Sequence, residues 1–396
     1  MRYKIDTERA DLFDVNIVIT MKVSLNKVPS FDEGKIAFDK ACACHEILNS
    51  RVIIEQSGDA YYVDCDVPAN EFTTTELSLE KLISSCEKER FRIENGEFMR
   101  GFLVPDGIVF MMHHLAGDGK SLLYFIETFM KCLEGKECES VSFRSLTMED
   151  LPKSSKLPFL YSALTSLWNR KWSLVKRVFD FKDMEDSYEK FWKENSTVTT
   201  VKRYDKDELD ALVKTSKEYG VSLTSYLITD MIKDSKKTMD VGLAVDGRID
   251  KNRAMGNQAT GISVKYRYDA NRSFEENCRA VHKLMRKKLD DDRYRYFVLQ
   301  FIGRIDPCLR DAMNLERAGY FTSKISSKAA GIMGYGKNVK DLSITNLTRA
   351  DIPLQYGEFA INEIAFIPPV ISYAKDVIGI VTAGDVMIVT RRVYEN

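Results

Sequence analysis

The string MMHHLAGDGKS, residues 111–121, gathers the acid–base chemistry of this chain into one short segment. It sets His113, His114, Asp118 and Gly119 in the pattern H-H-x-x-x-D-G, and two of only four histidines are adjacent there. At ordinary composition, four fixed positions match by chance in fewer than about one chain in a thousand. An imidazole titrates near neutral pH and suits removal of a proton from a hydroxyl or amine. Asp118 stands where a helix opens, so it can cap that helix or hold a cation.

The elements around the string must aim these groups. GFLVPDGIVFMMHHL reads as a hairpin turning at Pro105-Asp106-Gly107. Its second strand, Ile108 to His114, is apolar on both faces, which predicts a central buried strand. Side chains alternate along a strand, so Met112 and His114 share one face and Met111 and His113 the other. Only one histidine can then look into a given cavity. A buried histidine is costly unless partnered or used, and alternation alone leaves open which of the two is the working group. Ala116-Gly117 supplies a tight turn, and GKSLLYFIETFMKCLEG follows as an amphipathic helix. Diverging strand histidines are poor co-ligands, so a metal-dependent hydrolase using His113, His114 and Asp118 is disfavoured.

The remaining chain alternates strands and helices. FDVNIVITMKVS is strand-like, GKIAFDKACACHEILNS and EKLISSCEKERF are helical, and RVIIEQSGDAYYVDC is a hairpin. Residues 135–198 lack clear strands and suit a crossover between lobes. Beyond them, STVTTVKRY, VGLAVDGR and ATGISVKYRY read as strands, and KDELDALVKTSKEYG, SLTSYLITDMIKDS and SFEENCRAVHKLMRKKL as helices. From Leu342 the chain is β-rich: LSITNL, FAINEIAFI, VISYAK, VIGIVTAG and DVMIVTRRVYE.

With 396 residues, two domains or one unusually large one are expected. Lys plus Arg total 58 and Asp plus Glu 59, a net charge of −1, which argues against a dedicated nucleic-acid binder. No apolar run reaches transmembrane length and the N-terminus lacks an apolar signal core, so a cytoplasmic protein is expected. The eight cysteines form no C-x-x-C pair and read as reduced thiols. Cys42, Cys44 and His45 invite a metal reading, but on a helix the two thiols point apart, and packing is preferred. No metal site is expected.

H-H-x-x-x-D-G, as it stands at His113, His114, Asp118 and Gly119, resembles the signature of the acyltransferase superfamily related to chloramphenicol acetyltransferase. That superfamily includes the condensation domains of nonribosomal peptide synthetases and alcohol acetyltransferase-like proteins. Other segments resemble the family in its order: HEILNSRV, FRIENGEFMRGFLV, VDGRIDKNRAMGNQ and SITNLTRADIP. Only the first string is specific alone.

The resemblance implies an α/β (α+β) fold of two chloramphenicol acetyltransferase-like lobes, each a mixed sheet with flanking helices, as a pseudo-dimer around a central tunnel. The lobes are expected at residues 1–175 and 176–396, the second lending strands to the first. It further implies that His114 is the general base, with Asp118 and Gly119 completing the catalytic motif. Asp118 would pair structurally with Arg248 and face away from the tunnel. His113, Ser343, Thr345 and Asn346 are oxyanion or tunnel-lining candidates. The reaction implied is acyl transfer from a thioester, acyl-CoA or the phosphopantetheine arm of an acyl carrier protein, to a small-molecule hydroxyl or amine. No bound cofactor is needed beyond that co-substrate. The alternative is a non-catalytic condensation-like protein that binds a carrier protein or acyl ligand. The D-F-G-W-G motif of plant alcohol acyltransferases is absent, with IPLQYGEF near its place, and a chain without an attached carrier domain is expected.

Three features remain. His282 is read as a surface residue. Gly331, Gly334 and Gly336 in GIMGYGKN have the wrong spacing for a phosphate cradle and read as a loop. Lys153 to Arg177 carries six basic residues, no acidic ones, and Phe159, Tyr161, Trp168 and Trp172. Such a stretch can meet a membrane surface or an acidic carrier protein; inward packing of its aromatics is preferred.

Overall fold

The computed structural model describes residues 1–250, 252–335, 339–372 and 374–395. Two six-stranded mixed sheets and one three-stranded sheet carry the chain.

The first large sheet runs Gln355–Tyr356, Phe359–Ile367, Val18–Leu25, Gly107–His113, Met99–Val104 and Glu71–Thr74. The strand Gly107–His113 is buried at every residue, as its two-faced apolarity predicts. It pairs antiparallel with Val18–Leu25, placing Val18 opposite His113, and with Met99–Val104. Phe110 packs edge-on against Phe125 and Phe129 of the helix Gly119–Leu133, at 5.4 and 5.0 Å between ring centres. That helix is in turn backed by Phe31–Cys44 through Phe38 and Phe125. Strand and helix on either side of the histidines are thus fixed by aromatic packing, a rigid mount for the turn between them.

The second large sheet runs Ala259–Tyr266, Met239–Asp246, Leu342–Arg349, Asp376–Ala383, Val386–Tyr394 and Thr197–Tyr204. Its alternating apolar residues, Val241, Leu243, Ile344, Ile378 and Ile380, form a second core with Leu227, Ile228 and Val281. These come from the helices Leu223–Ile232 and Phe274–Leu289. The strand Phe359–Ile367 departs from this sheet to pair with Val18–Leu25 in the first, so C-terminal chain completes the N-terminal sheet. Both sheets are mixed and helix-flanked, as the resemblance implies.

Several local expectations are corrected. The helix around Ala37 ends at Cys44; Asn49 ties down the carbonyls of Cys42, Ala43 and His45, and the chain enters a strand at Ser50. VISYAK forms no strand among its described residues: it follows Pro368-Pro369, and Ala374 makes only an isolated bridge to Lys340. Residues 290–341, for which pattern offered nothing, contain the helices Asp292–Arg295, Phe297–Ile302, Pro307–Arg317 and Lys324–Met333. Gly331 lies inside the last of these and Gly334 ends it in the left-handed conformation, so they are a helix terminus and not a loop. Gly336 lies outside the described residues.

Trp168 and Trp172, on the helix Phe159–Ser173, are buried and meet Phe301 and Phe321 edge-on. The inward-packing reading of these two aromatics holds. A buried pair, Arg9 Nε to Asp311 Oδ1 at 2.9 Å, locks the N-terminal segment onto the helix Pro307–Arg317. Among the described residues no helix is long and apolar enough to cross a membrane.

Candidate active site

The strand ends at His113 and the chain turns twice before the helix begins. The Ala116 amide donates to His113 O and the Gly117 amide to His114 O, while Tyr62 donates to Leu115 O at 2.9 Å. A Cβ at Gly117 would overlap the Ser121 Cβ, so any larger residue there forces the turn or Ser121 to shift. At Gly119 a Cβ would come within 3.0 Å of Leu347 and 3.1 Å of Phe366, so its absence lets C-terminal chain close against the helix start.

Asp118 both caps the helix and holds a cation. Its Oδ1 accepts the Ser121 amide at 2.9 Å, which satisfies one open N–H of the first turn. Arg248 approaches as a fork, Nη1 to Oδ2 and Nη2 to Oδ1, both at 3.0 Å. The Gln258 amide adds a third direction at 3.0 Å. Both side chains are buried. Burial pushes the Asp118 carboxyl up, but Arg248 and the two amides outweigh it and hold the group below its ordinary value.

The segment VDGRIDKNRAMGNQ therefore meets the motif at several points. Besides Arg248 and Gln258, Gly256 O accepts from Ser121 Oγ at 2.9 Å. SITNLTRADIP reaches the same helix, where Tyr124 donates to Asp351 at 2.9 Å. Asn257 comes closest to the chemistry. Its carbonyl accepts the Ala259 amide, which turns its NH₂ toward His114 Nδ1 at 3.2 Å and Asp11 Oδ2 at 2.9 Å. Asp11 Oδ2 itself lies 3.8 Å from His114 Nδ1. The His114 side chain keeps 20% of its surface, so it is reachable. Burial raises the Asp11 carboxyl, against the opposing pull of His114 and Asn257.

His113 points elsewhere, as strand alternation requires. It is buried beside Phe91, accepts the Leu115 amide through Nδ1 at 3.2 Å, and faces a small cleft that also includes Arg90 and Tyr188. Burial, then His114 and two arginines, lower its pKa to about 3, so it stays neutral at physiological pH.

Ser343 and Thr345 lie half-buried on the strand Leu342–Arg349, opposite Gly242 and Ala244. They face away from the helices that cover Ile344. Asn346 turns to the other side: its amide donates to Thr224 Oγ1 at 2.9 Å, and its carbonyl accepts the Thr348 amide at 2.7 Å. The latter supports Thr348 at φ 62°, a conformation uncommon outside glycine. Among the described residues, no hydrogen bond joins Ser343, Thr345 or Asn346 to His114. His282 is half-buried, not a free surface residue; its Nδ1 lies 3.0 Å from Ser225 Oγ at the start of the helix Leu223–Ile232. His45 is buried with Nδ1 on Ala41 O, and Cys44 Sγ contacts Cys138 O. Among the described residues no cluster of His, Cys, Asp and Glu is arranged to hold a metal ion.

Sequence reasoning missed Asp11 and Asn257. Asp11 sits 103 positions before His114, and nothing in TERADLFD marks it. Asn257 lies in a segment that resembles the family, and nothing in its sequence neighbours shows that it reaches the imidazole.

No known protein-family profile matches the chain, and no curated protein sequence does. Solved structures do resemble it. The trichothecene 15-O-acetyltransferase of Fusarium sporotrichioides superposes with a TM-score of 0.64 at 12% identity, over 100% of this chain and 91% of that one. The condensation domain of the monacolin K polyketide synthase gives 0.62 at 12%, covering 99% and 92%. The starter condensation domain of rhizomide synthetase, a mutant in complex with C8-CoA and Leu-SNAC, gives 0.62 at 10%, covering 99% and 88%. From end to end, this chain has the two-lobe chloramphenicol acetyltransferase-like fold of condensation domains and acetyltransferases.

Proposed function

We propose that the protein transfers an acyl group from a thioester, on coenzyme A or a carrier protein, to a hydroxyl or amine, with His114 as general base. One observation carries this reading. The half-buried imidazole stands at the end of a buried strand, with Asn257 and Asp11 beside its Nδ1, on a turn fixed by the Asp118–Arg248 pair.

For Nε2 to take the acceptor's proton, Nδ1 must carry its own hydrogen. In the arrangement seen, the Asn257 NH₂ faces Nδ1, so it must move aside as Asp11 closes from 3.8 Å to accept that hydrogen, in keeping with the tightening of such contacts when substrate binds. The acceptor oxygen or nitrogen then attacks the thioester carbonyl as its proton passes to His114. A tetrahedral oxyanion forms, which needs hydrogen-bond donors aimed at it; Ser343 and Thr345, half-buried on the sheet face away from the helices, are the candidates. Collapse breaks the C–S bond, and the thiolate takes the proton back from the imidazolium. Holding both substrates at one site supplies the proximity contribution. No covalent enzyme intermediate is required, so kinetics are sequential.

The reading is tested by thiol release from acyl-CoAs of varied chain length against a panel of alcohols and amines. His114→Ala should lower turnover by about 10²–10⁴-fold with the fold retained. Near-full turnover in that variant would refute the assignment, and thiol-independent ligand binding alone would favour the non-catalytic alternative.

A further inference from the structure

The helix Phe159–Ser173 has two apolar faces, and only one of them is covered. Trp168 and Trp172 fill the inner face. On the outer face Leu160, Leu167 and Leu174 follow one another at seven-residue intervals, and at 100° per residue these stay in one row. Leu160 is 75% and Leu174 82% exposed, and Phe159 beside them is 88% exposed. A row of exposed leucines, with Leu167 at 47% between its two barer ends, calls for a partner.

The charges around the row say what that partner is. Arg170 and Lys171 rise between Leu167 and Leu174, and Lys153 and Lys156 flank the other end. All four are exposed, and among the described residues none has a carboxylate within ion-pair distance. Lys176 and Arg177 differ: they are already paired with Asp306 and Asp183. Two copies of the chain meeting on this row would bring their cations together, which disfavours self-association. The apolar tips stand out from a convex helix and not from a groove, a shape suited to entering a soft surface.

We propose that the outer face of Phe159–Ser173 docks on an anionic phospholipid surface, with Phe159, Leu160, Leu167 and Leu174 entering the headgroup boundary and Arg170 and Lys171 contacting lipid phosphates. The site would then work at a membrane surface on substrates that partition there.

The test is flotation of the intact chain with vesicles of phosphatidylcholine alone, or of equal parts phosphatidylcholine and phosphatidylglycerol. The chain should float with the anionic vesicles only, and less so as salt is raised. Arg170→Gln with Lys171→Gln should weaken binding about 30-fold, from the usual contribution of a cation near an anionic surface. Leu160→Asp with Leu174→Asp should abolish it, and Leu174→Ser alone should weaken it should the double variant fail to fold. Circular dichroism melts should match wild type for the variants scored. Absence of flotation with anionic vesicles overturns the proposal, as does wild-type flotation of both double variants. So does a dimer in solution that the leucine changes convert to monomer, or capture by an acidic carrier protein without vesicle binding.

Discussion

The buried pair between Asp118 and Arg248 makes a quantitative prediction that separates charge pairing from helix capping. Asp118→Ala removes the N-cap contact to Ser121, about 1 kcal/mol. It also leaves a buried guanidinium with the Ser121 hydroxyl and, as its carboxylate partner, Asp246, a side chain 39% exposed and 3.2 Å away. Stranding a buried partner costs about 3–5 kcal/mol, so the single change should destabilise by about 4–5 kcal/mol. Arg248→Ala leaves a carboxylate that still accepts the amides of Ser121 and Gln258, so its cost should fall at the low end, about 3 kcal/mol. The double variant strands neither charge and should cost about 4–5 kcal/mol, a coupling of about 3 kcal/mol. Urea unfolding followed by circular dichroism, which leaves charges unscreened, measures all three. The folded pKa of Asp118 is depressed, so its contribution is present above the unfolded carboxylate pKa and is lost as pH falls through the folded value. The coupling should therefore persist through mildly acid pH and vanish only below the ordinary carboxylate range. Additivity within about 0.5 kcal/mol, or a greater cost for Arg248→Ala than for Asp118→Ala, would refute the reasoning.

Asp11→Asn should lower kcat at least about tenfold with KM nearly unchanged and no loss of thermal midpoint, since burial already disfavours the charged carboxyl; a KM effect alone would deny it a positioning role. Burial depresses His113 to about 3 from its ordinary 6.5, so the unfolded chain binds the extra proton between those values. Stability should fall as pH drops through that window by up to roughly 4–5 kcal/mol, and His113→Asn should flatten this slope in urea titrations at stepped pH. Trp168→Ala and Trp172→Ala should each cost about 3–5 kcal/mol in the same assay, whereas Arg170→Gln with Lys171→Gln should stay within about 0.5 kcal/mol of wild type. Gly117→Ala should reduce activity and stability together, because its Cβ has no room beside Ser121; a silent substitution would show that the turn tolerates another path.

The sequence by itself determined what short-range pattern can encode. The run Ile108–Met112, apolar on both faces, requires a central strand, and the two-residue alternation sends His113 and His114 to different surroundings. Asp118 before an amphipathic run marks a cap, and the resemblance of VDGR to a family segment located its partner at Arg248, 130 positions away. Pattern failed where its range ended. VISYAK has the composition of a strand, but Pro368-Pro369 and the turn back to Lys340 withhold a pairing neighbour. Leu160, Leu167 and Leu174 carry no mark of their exposure in the sequence; it follows from the inner face of their helix being filled by Trp168 and Trp172. Asn346, grouped with Ser343 and Thr345 as a candidate, lies on the opposite side of the sheet by the same two-residue alternation, and its partner there, Thr224, comes from a distant helix. Asp11 and Asn257, 246 positions apart, meet at His114 only because the N-terminal segment is pinned by Arg9–Asp311 and the segment around Gly256 is folded onto Ser121. Local residue spacing fixes which way a side chain leaves its own element; which distant groups it finds there is decided by packing between elements, and that only the tertiary structure holds.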